Sequence, residues 1–384
     1  MRLLVVCPRF PEYGYKGDQL RTRQLIELLG PEHELQVITG DRPSQPRALD
    51  ELRQLANVTV IDATGLARAL AMLELLAHGR PAEVGWMSPR RLRHAVRSAA
   101  ATSDAVLAST VRVVTEPLGA PLIVDHIDAL SANMRERAKL ENHLLSRLAA
   151  RIEARLLVRH ERLAASWAAA QITVSDTDAD ELPQSPRPVV VPHAVNKTVY
   201  ADERSDQLPP RDIDVIFTGN MNYPPNRDAA RWLAESIVPE LRRLRPDVRV
   251  MVAGRLADRL SLSGVELDSD VPDMSALLRR ARVAIVPLRS GTGVPNKLLE
   301  AAAMGAAIVA TPRAAAAAGI AVMTAGDATA LAAAVAQLLA DEEARTALAA
   351  RALADLASRS PAIIAARLQS VLEGAVPDTD RHAS

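Results

Sequence analysis

The 384-residue sequence is poor in cysteine and in aromatic residues. Its single cysteine, Cys7, cannot form an intramolecular disulfide, so no disulfide framework holds the fold. Three Trp, four Tyr and two Phe are too few for the stacking platforms that bind single-stranded nucleic acid. Lys and Arg balance Asp and Glu at 46 each, which gives no overall attraction toward nucleic acid or anionic lipid. The core must therefore be built from Ala, Leu, Val and Ile.

Long apolar runs are also missing. No run of about 18 uncharged apolar residues is present, so no membrane-spanning helix is expected. The first apolar run, Leu3–Cys7, ends at Pro8 and is shorter than the apolar region of a signal peptide. No group of His and Cys has metal-ligand spacing, so no structural zinc is expected. We assign no metal and no cofactor to this sequence. These features predict a cytoplasmic protein.

Short apolar runs alternate with helical stretches along the chain, and this pattern predicts two doubly wound α/β domains. We place the first domain at residues 1–205 and the second at residues 206–358. In such domains ligands bind beyond the carboxyl ends of the strands, so the predicted site is a cleft between the two domains. The predicted strands are residues 3–7, 35–39, 105–108, 122–124, 172–174, 189–191, 215–217, 248–253, 283–286 and 307–310. The predicted helices are residues 19–29, 132–170, 226–244, 274–280, 296–304 and 362–372, and Ala-rich helices are predicted within residues 328–358.

The stretch from Pro287 to Glu300 follows a predicted strand and enters a predicted helix. Gly291 and Gly293, on either side of Thr292, let the backbone approach a ligand. The free N–H groups and positive dipole at the helix start suit a diphosphate, and Lys297 adds a positive charge. Glu300 lies about one helical turn later, where its carboxylate could accept two ribose hydroxyls. The plainer alternative is a strand-to-helix turn with a surface Lys–Glu pair.

Two further loops follow predicted strands of the second domain. In the first, Gly219 allows close approach to a ligand, and Asn220 can both donate and accept hydrogen bonds. Asn226, later in the same stretch, is interpreted as the N-cap of the next helix. In the second loop, Arg255 follows a strand and could bind a phosphate, with a surface arginine as the alternative.

The first domain offers two candidate stretches. Gly17 and Asp18 lie between the first strand and the first helix and could contact a sugar, although Asp18 could equally cap the helix. His126 and Asp128 follow an apolar strand, and a histidine between carboxylates at a strand end suits a polar site. The alternative is a loop histidine whose hydrogen bonds are satisfied.

The helical stretch from about Arg135 to Arg162 is rich in arginine. A solvated face held by salt bridges is one interpretation. A peripheral contact with the inner face of a membrane is the other.

Several stretches resemble one family, the GT-B glycosyltransferases of the family 4 type, and within it a bacterial subgroup of exopolysaccharide-type sugar transferases. The matching stretches include Val215–Asn226, with the pattern FTGxMxYxPN, and Val286–Gly305, with the pattern PLRxGxGxxNKxLEAxAxG. Looser matches are Pro8–Arg21, Val124–Arg137, Val191–Tyr200 and Val252–Arg255. Three features depart from the family. Thr292 stands where these enzymes commonly carry a second glutamate, the common Arg and Lys are absent from Gly219–Asn226, and the usual N-G-V turn reads His193-Ala194-Val195.

The resemblance implies a GT-B fold, in which two Rossmann-like domains face each other across a cleft. The second domain would bind a nucleoside-diphosphate sugar, and residues 359–384 would cross back to the first domain, which would bind the acceptor. Glu300 would hold the donor ribose, and the loop at Gly291–Gly293 with Lys297 would hold the diphosphate. The family suggests retention of anomeric configuration without a metal.

The predicted function is glycosyl transfer to a glycan, lipid-linked or small-molecule acceptor through a hydroxyl or an amine. The residues expected to take part in catalysis are His126, Asp128 and Lys297, and those expected to bind the donor are Gly219, Asn220, Arg255, Gly291, Thr292, Gly293, Lys297 and Glu300. Gly17 and Asp18 are placed on the acceptor side. The alternatives are a non-catalytic binding subunit, which Thr292 favours, and a nucleotide-sugar epimerase.

Overall fold

A computed structural model of the chain describes residues 1–13, 17–141, 143–195, 210–291, 295–316 and 318–376. The chain forms two compact units. Unit 1 comprises Met1–Ala194 together with the C-terminal segment from Pro361, and unit 2 comprises Val195–Ser360. The predicted boundary between residues 205 and 206 lies outside the described residues.

Unit 1 is built around a parallel β-sheet. In its described part, seven strands lie in the order β3-β2-β1-β4-β5-β6-β7. The strands are β1 (Arg2–Cys7), β2 (Glu34–Thr39), β3 (Asn57–Val60), β4 (Ala105–Ser109), β5 (Leu122–Asp125), β6 (Ala170–Thr173) and β7 (Val189–Val190). The helices are α1 (Gly17–Leu29), α2 (Pro46–Arg53), α3 (Gly65–Ala77), α4 (Ala82–Met87), α5 (Arg90–Ala100), α6 (Leu130–Leu140), α7 (Leu144–Trp167) and α8 (Asp176–Glu181).

The apolar run of β1 is buried on both faces of this sheet. Leu3 and Val5 lie in one apolar cluster, and Leu4 and Val6 lie in the cluster on the other face. Side chains alternate between the two faces of a strand, so a sheet with helices on both sides needs a continuous apolar run. The C-terminal helix α16 (Pro361–Ala375) adds Ile364, Leu368 and Leu372 to the first cluster.

One predicted helix of unit 1 is two helices. The sequence predicts a single helix over residues 132–170, but α6 ends at Leu140 and α7 begins at Leu144. The backbone turns extended at Glu141 (ψ 125°) and again at His143 (ψ 128°). The connection contains neither Gly nor Pro, so the pattern of residue types gives no sign of this break.

Unit 2 repeats the plan of unit 1. Its described part contains six parallel strands in the order β10-β9-β8-β11-β12-β13. The strands are β8 (Ile213–Thr218), β9 (Val250–Ala253), β10 (Glu266–Asp268), β11 (Ala281–Val286), β12 (Ala307–Ala310) and β13 (Met323–Thr324). The helices are α9 (Pro224–Trp232), α10 (Val238–Leu244), α11 (Met274–Arg279), α12 (Asn296–Ala303), α13 (Pro312–Ala316), α14 (Ala328–Ala340) and α15 (Glu342–Asp355).

One predicted helix of unit 2 is interrupted. The helix predicted over residues 226–244 contains a wider π turn, Leu233–Ile237, immediately before α10. Pro239 in the next turn has no backbone N–H, and a wide turn accommodates that missing donor. The helices predicted over residues 328–358 are separated at Asp341, whose side chain accepts a hydrogen bond from Ala344 N at 2.8 Å and so caps the second of them.

In each sheet the strand order reverses once. The reversal lies between β1 and β4 in unit 1 and between β8 and β11 in unit 2. Loops that leave adjacent strands in opposite directions open a crevice at the carboxyl ends, where doubly wound sheets bind ligands. Among the described helices, none is long and apolar enough to cross a membrane.

Candidate active site

Lys297 lies at the point in unit 2 where the strand order reverses, on the first turn of α12 after β11. Its Nζ donates a hydrogen bond to Asn226 Oδ1 at 2.7 Å and lies 4.5 Å from the centre of the Phe217 ring. Burial lowers the pKa of Lys297 to about 7, and the charge of Glu300 opposes this effect. The site therefore holds an ammonium that gains strongly from an anionic ligand.

Asn226 connects the loops that follow β8 and β11. Its amide nitrogen donates to the Asn220 carbonyl oxygen at 2.9 Å, while its amide oxygen accepts from Lys297. The expectation that Asn226 is an N-cap is wrong, because α9 begins at Pro224 and Asn226 is its third residue. A proline pair suits the first turn of a helix, where N–H groups lack intrahelical partners. Sequence reasoning did not identify Asn226 as the link between the two loops. The Pro224-Pro225 pair indicates that the helix begins before Asn226, but it does not indicate the contact with Lys297.

Gly219 leaves the space that these two side chains occupy. A Cβ at this position would lie 2.8 Å from Asn226 Nδ2 and 2.9 Å from Lys297 Nζ. Gly254, with φ +123°, follows β9, and a Cβ there would overlap the carbonyl oxygen of Gly219. The two glycines let the loops after β8 and β9 approach each other closely.

Asn220 and Arg255 hold the same pair of loops together. The Asn220 side chain accepts a hydrogen bond from Asn222 N at 2.9 Å, an arrangement typical of an Asx turn. The Arg255 carbonyl oxygen accepts from Met221 N at 2.9 Å, and its side chain is exposed. In this structure Asn220 shapes the loop, and Arg255 presents its side chain to solvent at a strand end.

The glycine loop after β11 is described only in part. Thr292 and Gly293 lie outside the described residues. Gly291 has φ +106°, and its carbonyl oxygen accepts from Arg313 Nη1 at 3.4 Å. Pro295 directly precedes α12 and offers no side-chain cap, so the first turn of that helix lacks a capping acceptor from this position. The buried Oδ1 of Asn296 has no hydrogen-bond partner among the described residues.

Glu300 is half-buried one turn beyond Lys297. Burial raises the pKa of Glu300, and the charge of Lys297 opposes that rise. The Lys297 ammonium makes its hydrogen bond to Asn226 and not to Glu300. The Glu300 carboxylate is therefore not engaged by the Lys297 ammonium.

His126 of unit 1 is completely enclosed. Its Nε2 donates to Gln171 Oε1 at 2.8 Å, and Gln171 in turn donates to the Pro183 carbonyl oxygen at 3.1 Å. Burial lowers the pKa of His126 to about 4, so the ring is neutral at pH 7. At Nε2 the geometry matches the alternative interpretation, a loop histidine whose hydrogen bonds are satisfied. Nδ1 is buried and has no partner among the described residues.

Asp128 is half-buried at the carboxyl end of β5. Its carboxylate accepts from Asn133 Nδ2 at 2.6 Å. Burial raises the pKa of Asp128 to about 7; the charge of Arg112 opposes this rise and that of Asp178 adds to it. A carboxyl group that titrates near pH 7 can accept or release a proton under ordinary conditions.

Gly17 and Asp18 begin α1 close to the same sheet edge. Gly17 is exposed, and a Cβ there would meet nothing within 4 Å. The Asp18 carboxylate pairs with Arg9. Asp18 is the second residue of α1, so the interpretation of this residue as the helix cap is wrong.

Sequence reasoning also missed a buried ion pair beneath this edge. Arg21 Nε donates to Asp125 Oδ2 at 3.0 Å, and its Nη1 donates to the Pro192 carbonyl oxygen at 2.8 Å. Asp125 also accepts from Ile127 N at 3.1 Å. These bonds fix the backbone that carries Asp128. The pair joins residues 104 positions apart, a distance that no local pattern reveals.

Comparisons with known proteins agree with this architecture. Residues 212–341 match a family model described as glycosyl transferases group 1. HepE of Anabaena in complex with UDP aligns over 97% of this chain and 100% of its own, with 16% identity and a TM-score of 0.67. The HepE complex with UDP-glucose aligns over 97% and 99%, with 15% identity and a TM-score of 0.66.

WaaG, a glycosyltransferase involved in lipopolysaccharide biosynthesis, aligns over 97% of this chain and 100% of its own. Its identity is 16% and its TM-score is 0.65. A search of curated proteins gave no match. The predicted GT-B class of fold, with two parallel-sheet α/β units, is confirmed.

Proposed function

We propose that this glycosyltransferase uses a nucleoside-diphosphate sugar as the donor and a hydroxyl or amine as the acceptor. Residues 212–341, which match the model of the glycosyl transferases group 1 family, support this proposal. The observation that carries this proposal is the Lys297 ammonium, half-buried at the strand-order reversal of unit 2 and bonded to the neutral amide of Asn226. A diphosphate would restore the stabilisation that the ammonium lost on burial.

The reaction exchanges one bond at the anomeric carbon. The acceptor oxygen or nitrogen forms the new bond, and the bond from the anomeric carbon to the diphosphate oxygen breaks. Negative charge then grows on the departing diphosphate. Lys297 and the backbone N–H groups at the start of α12 would stabilise that charge, and a fixed donor set of this kind commonly supplies much of the rate enhancement. Arg255, exposed at the end of β9, would add a second positive charge.

UDP-sugars are the donors that we assign first. HepE, which shares the fold, was solved with UDP and with UDP-glucose. In this chain Glu300 would accept hydrogen bonds from the ribose hydroxyls, one helical turn from the lysine that holds the diphosphate. Gly219 would leave the space that the Asn226 and Lys297 side chains occupy, and Gly291 would leave room for the donor beside its loop.

The acceptor is assigned to unit 1. Asp128, whose pKa is raised to about 7, is proposed to take up the proton that the acceptor hydroxyl or amine loses as the new bond forms. His126 is enclosed and is proposed to support the backbone beside Asp128 rather than to contact a ligand. We further propose independence from metals, because Lys297 would supply the positive charge at the diphosphate. Retention of anomeric configuration is proposed from the family resemblance alone.

The proposal is tested by thermal unfolding against UDP, GDP, dTDP, ADP and their sugars. A ligand at 100 times its dissociation constant adds about 2.7 kcal/mol of stability. For a unit of this size that corresponds to a rise in melting temperature of roughly 5–11 °C. We expect a rise with UDP and UDP-sugars that persists in a chelator, followed by transfer in the presence of acceptors. No rise with any of these ligands would refute the proposed donor class.

A further inference from the structure

The outward face of α7 carries large apolar side chains in contact with solvent. Leu144, Leu145, Leu148 and Ile152 are 74%, 81%, 53% and 50% exposed. At roughly 100° per residue these four positions fall on one side of the helix, opposite the buried Ala150, Ala154 and Leu157. Four exposed aliphatic side chains over three turns exceed what scattered surface residues explain.

Arginines share this outward face. Arg151, Arg155, Arg159 and Arg162 are exposed; Arg151 lies among the apolar residues, and the other three continue the same face in the following turns. None of the four forms an ion pair with a carboxylate that the structure describes. The expectation of a face held by salt bridges therefore does not describe α7.

The two carboxylates of α7 are turned inward. Glu153 accepts hydrogen bonds from Ala82 N and Glu83 N, both at 3.0 Å, and so caps the start of α4. Glu161 is buried and accepts from Ser131 N at 3.0 Å. The outward face thus presents cations and apolar groups without a compensating acid.

A second exposed apolar stripe lies beside one end of this face. On α3, Leu66, Leu70 and Leu73 are 71%, 59% and 58% exposed. Arg159 Nη1 lies 3.5 Å from where a Cβ on Gly79 would be, just after α3 ends. The part of α7 that carries Arg159 therefore lies close to the end of α3.

We propose that the outward face of α7 binds the surface of a membrane that contains anionic phospholipids. A helix with an apolar stripe and flanking arginines lies in the headgroup region, where the stripe is buried and the arginines meet phosphates. A second copy of the chain is a poorer occupant, because its identical arginines would face these ones. The absence of net charge on the whole chain does not oppose binding, since attraction falls off within a Debye length and only nearby charges count.

The test is co-sedimentation of the full chain with vesicles, without any nucleotide sugar, so that its result is independent of the proposed function. We expect binding to vesicles of phosphatidylcholine mixed with phosphatidylglycerol and none to phosphatidylcholine alone. Arg151→Gln combined with Arg155→Gln should weaken binding about fivefold per arginine, hence roughly 25-fold. Leu144→Gln, Leu148→Gln and Ile152→Gln together should abolish binding, and their exposure means that the fold should persist.

The matched control is Arg231→Gln combined with Arg351→Gln, which removes the same charge from exposed positions of unit 2. It should bind vesicles as the unaltered chain does. The proposal is overturned if the unaltered chain ignores anionic vesicles, or if the α7 variants bind as well as the control. It is equally overturned if sedimentation velocity shows a dimer that the apolar α7 variant abolishes, because a second copy would then cover this face.

Discussion

Binding of the donor should be coupled to uptake of a proton by Lys297. In the free protein, burial lowers the pKa of this lysine to about 7. An anionic diphosphate beside the ammonium would raise that pKa again. Near pH 8 about nine-tenths of the free lysine is unprotonated, so binding should take up about 0.9 proton. Donor affinity should then fall about tenfold for each pH unit above 7.

Isothermal calorimetry measures this uptake directly. The heat of binding UDP-glucose is recorded near pH 8 in buffers of different ionisation enthalpy, and the slope gives the number of protons. UDP-glucose is preferable to UDP because its diphosphate has no terminal phosphate that titrates in this range. The affinity of the same ligand is then followed from pH 6 to pH 9.

Two variants distinguish proton uptake by Lys297 from proton uptake by other groups. Lys297→Met should take up no proton and should bind the donor about tenfold to a hundredfold more weakly near pH 6, because a charge-assisted hydrogen bond is lost. Lys297→Arg keeps its charge at every pH, so its affinity should be independent of pH even if the different geometry reduces it.

A result without proton uptake by the unaltered chain would refute the reasoning about Lys297. So would an uptake that persists in Lys297→Met, because another group would then be responsible. Binding itself could still occur in either case, and the lysine would lose its assigned contact with the diphosphate.

Three other substitutions test neighbouring assignments. Glu300→Gln should weaken donor binding by about 1–3 kcal/mol if the carboxylate accepts ribose hydroxyls, and an unchanged dissociation constant would exclude that role. Gly219→Ala places a Cβ 2.8 Å from Asn226 Nδ2 and should reduce donor affinity by at least about tenfold, whereas Gly326→Ala, with open space around it, should have no effect. Asp128 has a pKa raised to about 7, so its ionisation costs stability increasingly as pH rises from about 4 to 7. Asp128→Asn should therefore raise the melting temperature more near pH 8 than near pH 4.5, and an equal effect at both pH values would contradict the shift.

The sheets could be predicted from sequence because their strands are buried on both faces. A short continuous apolar run such as Leu3–Cys7 is typical of a strand in a parallel sheet that is covered on both faces. The edge strand Asn57–Val60 was not predicted, since it is half-exposed, short and partly polar. The sequence pattern likewise predicts no helix over Pro46–Ala100, although this stretch contains four helices of 6–13 residues.

The candidate site was predictable only where its residues are close in sequence. Lys297 and Glu300 are one helical turn apart, and the spacing itself suggests that they act together. Asn226 lies 71 residues from its lysine partner, so only the folded chain shows the contact. The same holds for the buried surroundings of His126, because burial of a loop residue depends on elements elsewhere in the chain.

Several features that lower stability lie at the carboxyl edge of the unit 1 sheet. Thr110 and Ile127, which follow the adjacent strands β4 and β5, adopt φ values of +71° and +65°. β-Branched residues in this region each cost about 1–3 kcal/mol, and glycine would relieve that cost. Asp128, next to Ile127, adds the cost of a carboxyl group whose charged form burial disfavours. Substitutions that relieve such costs and stabilise a protein are easy to find. Backbone strain and the burial of a carboxyl group therefore persist together mainly where binding of a ligand requires a fixed shape. These costs support assignment of a ligand to this edge on grounds independent of the family resemblance.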